Sequence, residues 1–186
     1  MRDLKQSAIV LSLIEHLRQR GSWCGETHIQ KATYFLQKLM GLPLNFDFIL
    51  YKYGPYSFEL SDELIAMRAN SLIRLFVNPP YGPTLAPGDG SEQVKNQFPR
   101  TLRQFDGQIS FIANKLGQKQ VSELEAISTA LYVRLNEGKG LSGDQEAKLL
   151  CDLKPHIKID SALAAVNELN GLIYESKRIH ALQASP

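Results

Sequence analysis

The chain has few cysteines and no long apolar run. Its two cysteines, Cys24 and Cys151, lie far apart in the sequence, so we expect two reduced thiols rather than a disulfide framework. An apolar run near the start of the chain, residues 8–11, is interrupted by Ser12 and is far too short to span a bilayer. No small-residue cleavage site follows it, which argues against a signal peptide. We therefore expect a cytoplasmic protein without membrane contact.

The fingerprints of common catalytic and cofactor sites are also missing. The sequence contains no nucleophile elbow, no phosphate-binding loop and no dinucleotide motif, so it identifies no catalytic residue and no cofactor. Cys24 and His28 have a spacing that suits a metal ion on one helix, but the sequence has no second pair of close ligands. We therefore expect no metal site.

The composition is that of an ordinary globular protein, with 44% apolar and 22% charged residues. The formal net charge of +2 does not by itself indicate a nucleic-acid partner, because such binding needs local clusters of basic residues. The one local imbalance lies between residues 95 and 119, where Asp106 is the only acid. Its basic residues are Lys95, Arg100, Arg103, Lys115 and Lys119. We interpret them as a solvated helix face, with a phosphate-binding helix as the alternative.

Apolar spacing predicts three helices in the first half of the chain. They run from Leu4 to just before Gly21, from Glu26 or Thr27 to Gly41, and from Ser57 to Asn70. The aromatic run 46–51 predicts a short strand that Gly54-Pro55 ends, and residues 72–76 with 84–86 predict a hairpin. Three helices followed by a hairpin is the order of a winged helix.

The second half of the chain is mostly helical in pattern. Helices are predicted near residues 92–116, 122–136, 144–153 and 161–182, and Ser122 with Glu125 fits a capping box. The predicted fold is therefore mainly α, with a winged-helix-like N-terminal half that includes a small β element, plus a helical C-terminal subdomain. We place the boundary between residues 1–90 and 91–186 and expect the second part to pack on the first as one compact unit.

The segment YKYGPYS, residues 51–57, contains more tyrosine than a tight turn needs. Turn and capping chemistry accounts for Gly54, Pro55 and Ser57. It does not account for the tyrosines at positions 51, 53 and 56. Their rings suit a partly buried recognition surface with hydroxyl groups in water, or a clamp at the junction of strand and helix.

Residues 28–64, HIQKATYFLQKLMGLPLNFDFILYKYGPYSFELSDEL, resemble the hallmark region of the YwgA-like family, which is related to the SocA/Panacea antitoxin-domain group. In those families a helix with the motif LQK-x-x-Y-F-L-Q precedes an aromatic strand and a Y-G-P segment at a helix start. Residues 30–31 and 34–37 match the first motif and 53–57 the second, while Ile29 stands where leucine is usual. The resemblance implies a mostly helical protein that acts in toxin neutralisation or phage defence by protein contact, in some members with DNA binding.

We therefore expect a non-enzymatic antitoxin or immunity-type adaptor that binds and occludes a partner protein. The expected contact surface comprises Lys31, Tyr34, Tyr51, Tyr53 and Tyr56. This hypothesis depends on the motif match and on the tyrosines that turn chemistry leaves unexplained.

Two alternatives stay open. The first is a DNA-binding winged-helix regulator, whose contact residues are Arg74, Lys95, Arg100 and Arg103. Glu59, Asp62 and Glu63 at the start of the third helix weigh against it, because they would face phosphates with the wrong sign. The resemblance also implies that some members act through a surface that imitates nucleic acid, and those acids would suit such a surface. The second alternative is an enzyme of unknown reaction with a Tyr and Lys site.

Overall fold

The computed structural model of the protein describes residues 3–77, 80, 82–138 and 140–183. Within these residues the fold is mainly helical, with eight helices and two small antiparallel sheets, which confirms the predicted mainly α class with a small β element. The elements are α1 Leu4–Gln19, α2 Glu26–Lys38, β1 Ile49–Tyr51, β2 Gly54–Tyr56, α3 Phe58–Ala69, β3 Ile73–Phe76, β4 Thr84–Pro87, α4 Ser91–Lys95, α5 Pro99–Leu116, α6 Val121–Asn136, α7 Gly143–Leu153 and α8 Ile159–Gln183. None of the described helices is both long enough and apolar enough to cross a membrane.

The chain divides into two compact units. The first comprises residues 1–48 and 57–119, and the second comprises residues 49–56 and 120–186. This division differs from the predicted boundary after residue 90, because α4 and α5 pack against α1 and so belong to the first unit. The β1–β2 hairpin, which sequence places in the first half, belongs with the C-terminal helices.

The first unit is built around α2. Every residue of this helix from His28 to Leu36 is buried, and it packs against α1, α3 and α5. Burial of a large side chain such as Ile29 or Phe35 contributes roughly 1.5–3 kcal/mol, so this helix supplies much of the core. The order of the unit, α1, α2 and α3 followed by the β3–β4 hairpin, is that of the predicted winged-helix-like half.

Helix ends follow local chemistry in most places. Asp3 caps α1 and Ser57 caps α3, where its side chain accepts from the backbone N–H of Leu60 at 3.2 Å. The predicted helix 92–116 is instead two helices, because Pro99 has no N–H to donate and is tolerated only in a first turn, where it begins α5. The predicted capping box at Ser122 is also wrong.

The capping box of α6 lies two residues earlier than the sequence pattern suggested. Gln120 is the N-cap, and its backbone N–H donates to the Glu123 carboxylate at 2.7 Å. Glu125, the predicted capping acid, is buried instead, with 5% of its surface exposed. Glu123 and Glu125 each lie three residues after a possible N-cap, Gln120 and Ser122 respectively. The spacing of a capping box alone therefore does not decide between them.

The helices α6, α7 and α8 of the second unit pack against one another. Arg134 joins them: its Nε donates to Glu146 Oε1 at 2.7 Å, a second guanidinium nitrogen donates to Oε2, and Nη1 donates to Asn170 Oδ1 at 2.6 Å. Hydrogen bonding to Glu146 raises the pKa of Arg134. The buried carboxylate therefore has the bidentate cationic partner that its burial requires.

The β1–β2 hairpin is tighter than the sequence indicated. Tyr51 pairs with Gly54, so Gly54-Pro55 begins the return strand of a hairpin instead of only ending the first strand. Gly54 has φ +81°, whereas Lys52 and Tyr53 have no positive φ, which matches a turn followed by a glycine bulge. A Cβ at Gly54 would lie 3.0 Å from the hydroxyl oxygens of Ser128 and Thr129 on α6. Conformation and space therefore both favour glycine here.

Candidate partner-binding surface

Two glutamines of α2 hold the chain at the points that flank the β1–β2 hairpin in sequence. Gln37 accepts from the backbone N–H of Phe46 at 2.9 Å and donates to its carbonyl at 2.8 Å. Gln30 makes the same pair of bonds to Ser57, both at 2.9 Å. Each amide thus satisfies a backbone N–H and C=O that no strand pairs. Gln30 and Gln37, the glutamines of the LQK-x-x-Y-F-L-Q motif, therefore have a structural role in holding the backbone.

Lys31 and Tyr34, two of the residues predicted for the contact surface, lie inside the protein. Their exposed fractions are 2% and 1%, because α2 is buried along this whole stretch. The Tyr34 ring packs edge-on against Phe48, with centroids 5.0 Å apart. The structure therefore separates these two residues from any exposed patch.

The three tyrosines of the hairpin are placed differently. Tyr51 and Tyr53 are each 51% exposed, and Tyr56 is half-buried with its ring centroid 5.8 Å from that of Tyr51. The ammonium of Lys52 lies 5.3 Å from the centre of the Tyr53 ring, within range of a cation–π contact. Ile49 on the same hairpin is 43% exposed. We call Ile49, Tyr51, Lys52 and Tyr53 the hairpin surface.

Lys154, which the sequence did not single out, fixes the turn of this hairpin. Its side chain donates to the backbone carbonyls of Tyr51 and Lys52, the latter at 2.9 Å, and the residue is only 7% exposed. A lysine at the C-terminal end of a helix such as α7 is already favourable because it interacts with the helix dipole. The sequence therefore offers no sign that this lysine has a hydrogen-bond partner far away in the chain. The hairpin surface is therefore presented on a turn that a buried ammonium holds in place.

The residues predicted for nucleic-acid binding do not form a continuous basic face. Arg74 is ion-paired with Asp89, and Lys95 is ion-paired with Glu15 at 2.6 Å and with Glu92 at 2.7 Å. Although burial lowers the pKa of Lys95, its hydrogen bonds to the two carboxylates outweigh this effect and raise it. Arg100 and Arg103 are exposed in the first turns of α5, and the Nε of Arg103 donates to the Pro99 carbonyl at 3.3 Å.

The acids at the start of α3 do not form an exposed acidic face either. Glu63 is buried and accepts from the hydroxyl of Ser7 at 2.7 Å. Glu59 is half-buried and accepts from the backbone N–H of Asp47 at 3.1 Å. With two of the three carboxylates used inside the first unit, imitation of nucleic acid has little support at this helix.

Cys24 and His28 serve the core. Burial raises the pKa of the Cys24 thiol to about 12, and its sulfur lies 3.8 Å from the Ile14 carbonyl. The Nε2 of His28 bonds the Lys119 carbonyl at 2.9 Å, while burial lowers the pKa of its ring. Across the part of the chain that the structure describes, no group of three or more His, Cys, Asp or Glu side chains is arranged to hold a metal ion.

Comparison with known proteins adds no relative. No protein-family model matches the chain, and no curated protein matches it. The resemblance of residues 28–64 to the YwgA-like family stays a prediction. Its two motifs nevertheless correspond to distinct parts of the structure: the glutamine motif lies on the buried helix α2, and the Y-G-P motif lies on the hairpin.

Proposed function

We propose that this protein is a non-enzymatic adaptor of the antitoxin or immunity type, which binds and occludes a partner protein through the hairpin surface. One observation carries the proposal. Tyr51 and Tyr53 are both half-exposed on a turn whose carbonyls are bonded by the buried side chain of Lys154.

Such an arrangement suits protein recognition for two physical reasons. A tyrosine ring offers a large apolar area together with a hydroxyl group, and tyrosines are enriched among the residues that dominate binding energy. A turn that is already fixed loses little conformational freedom on binding, so more of the contact energy appears as affinity. The resemblance of residues 28–64 adds the setting, which is toxin neutralisation or phage defence.

A DNA-binding regulator is the second candidate, and the exposed Arg100 and Arg103 favour it. Phosphate binding depends on several uncompensated basic side chains that track one backbone. Arg74 and Lys95 each have a carboxylate partner instead. The protein-binding function is therefore the better supported of the two.

Photo-crosslinking in cells of the native host tests the proposal at the residue level. A benzophenone amino acid replaces Tyr53 in one variant and Tyr174 in a matched control, since Tyr174 is 70% exposed on α8 of the same unit. We expect position 53 to give one dominant protein adduct that position 174 does not give. Equal adducts from both positions, or only nucleic-acid adducts, would contradict the proposal.

A further inference from the structure

A groove with a cavity volume of about 510 Å³ lies in the second unit, beside the first turns of α6 and the chain from His156 onwards. Small apolar side chains, Ala126, Ala164 and Ala165, line it together with Ile157. This apolar lining leaves space for a slender side chain. None of these residues is needed to explain the hairpin surface.

The charges around the groove are predominantly negative. Three glutamates, Glu123, Glu125 and Glu168, line it against one lysine, Lys158. The first turns of α6 and α8 add only partial positive charges, about half a unit for each helix. The balance therefore favours a cationic occupant over an anionic one.

Glu125 gives the groove its specific polar group. Its side chain is only 6% exposed, and Oε1 lies 3.0 Å from Nε2 of His156, which itself lines the groove. A carboxylate held out of water is a strong acceptor for a charge-assisted hydrogen bond. His156 is more than half exposed, so its ring can give way to a stronger cation.

The shape and chemistry together fit arginine. Its methylene stem can lie on alanine side chains, and its guanidinium, which has five N–H donors in a plane, can bond more than one carboxylate. A bare metal ion fits less well, because the described residues hold no group of His, Cys, Asp and Glu arranged to bind one.

The groove lies close to the hairpin that carries the hairpin surface. Lys154, which bonds the hairpin turn, precedes His156 by two residues, and a Cβ at Gly54 would lie 3.4 Å from the carbonyl oxygen of Glu125. We propose that the groove receives an arginine side chain of the same partner protein that the hairpin surface binds. This inference rests on the proposed function.

Titration with N-acetyl-arginine amide, followed by two-dimensional amide NMR, tests the groove without the partner. We expect saturable shifts at Ala126, Ala165 and His156, and roughly tenfold weaker binding of the uncharged analogue N-acetyl-citrulline amide. Glu168→Gln should weaken arginine binding severalfold. Glu137→Gln, an exposed acid of the same unit outside the groove lining, should leave it unchanged.

Equal binding of arginine and citrulline, or shifts spread over the surface, would overturn the groove proposal. Equal effects of the two glutamate variants would overturn it as well. Because the probe needs no partner protein, these results are independent of the crosslinking at Tyr53. Specific arginine binding without a protein adduct at position 53 would support the cation site while refuting the proposed partner.

Discussion

Replacing Gly54 by alanine tests how the hairpin is built. The residue has φ +81°, and a left-handed conformation costs an L-residue roughly 1–2 kcal/mol. In addition, the new methyl group would lie 3.0 Å from the hydroxyl oxygens of Ser128 and Thr129, tighter than most real Cβ contacts, so these side chains would have to shift by a few tenths of an ångström. Overpacking of this kind costs typically about 1–3 kcal/mol. We therefore expect Gly54→Ala to lower the free energy of unfolding by about 2–5 kcal/mol.

Gly140→Ala is the matched control, because it isolates the conformational part of this cost. Gly140 lies in the same unit with φ +82°, and a Cβ there would meet no atom of the described residues within 4 Å, its chain neighbours aside. We expect Gly140→Ala to cost about 1–2 kcal/mol, all of it from backbone conformation. The difference between the two variants measures the close approach of the hairpin to α6.

Urea denaturation followed by far-UV circular dichroism supplies both free energies of unfolding. Gly54→Ala should unfold at a clearly lower urea concentration than Gly140→Ala. If both variants lose the same stability, Gly54 does not pack against α6 as described. Backbone conformation alone would then explain why this position is glycine.

Three further results are expected. Lys154→Met removes the ammonium from two backbone carbonyls and should lower the free energy of unfolding, measured by urea denaturation, by about 1–3 kcal/mol. An unchanged urea midpoint would contradict the role of Lys154 in the turn. In a thiol titration at pH 8, Cys151 should react first and Cys24, whose pKa is about 12, only on unfolding; two fast thiols would contradict the burial of Cys24. Burial holds the pKa of His28 below 6.5, so below that pH the unfolded chain binds a proton that the native state does not. The free energy of unfolding should therefore fall as the pH drops below 6.5, by up to about 1.4 kcal/mol per pH unit. Urea midpoints from pH 7.5 to 5 check this, and His28→Gln should flatten the dependence.

Much of the local structure could be predicted from the sequence. The Ser57 cap, the β3–β4 hairpin and the ends of α1 and α3 follow from short-range chemistry that neighbouring residues determine. Pro99 also carried a local signal for the break between α4 and α5, since proline is restricted to a first helical turn. Apolar spacing alone gave one helix there.

The candidate surface was harder to predict, because its supports are distant in sequence. Lys154 is more than 100 residues from the carbonyls that it bonds. The sequence hypothesis includes Lys31 and Tyr34 in the contact surface, but both lie on the stretch of α2 that is buried on every side, which leaves no exposed face for polar residues. Tyr51 and Tyr53, next to a recognisable turn, are exposed, and Tyr56 is half-buried.

Affinity capture from the native host tests the central claim most directly. The tagged wild-type protein, the Tyr51→Ser/Tyr53→Ser double variant and the Tyr174→Ser control are compared after nuclease treatment, with each variant first shown to be folded. We predict one stoichiometric protein that the wild type and the control retain and the double variant loses. Undiminished recovery by the double variant, or recovery that nuclease abolishes, would contradict the claim that the hairpin surface binds a partner protein.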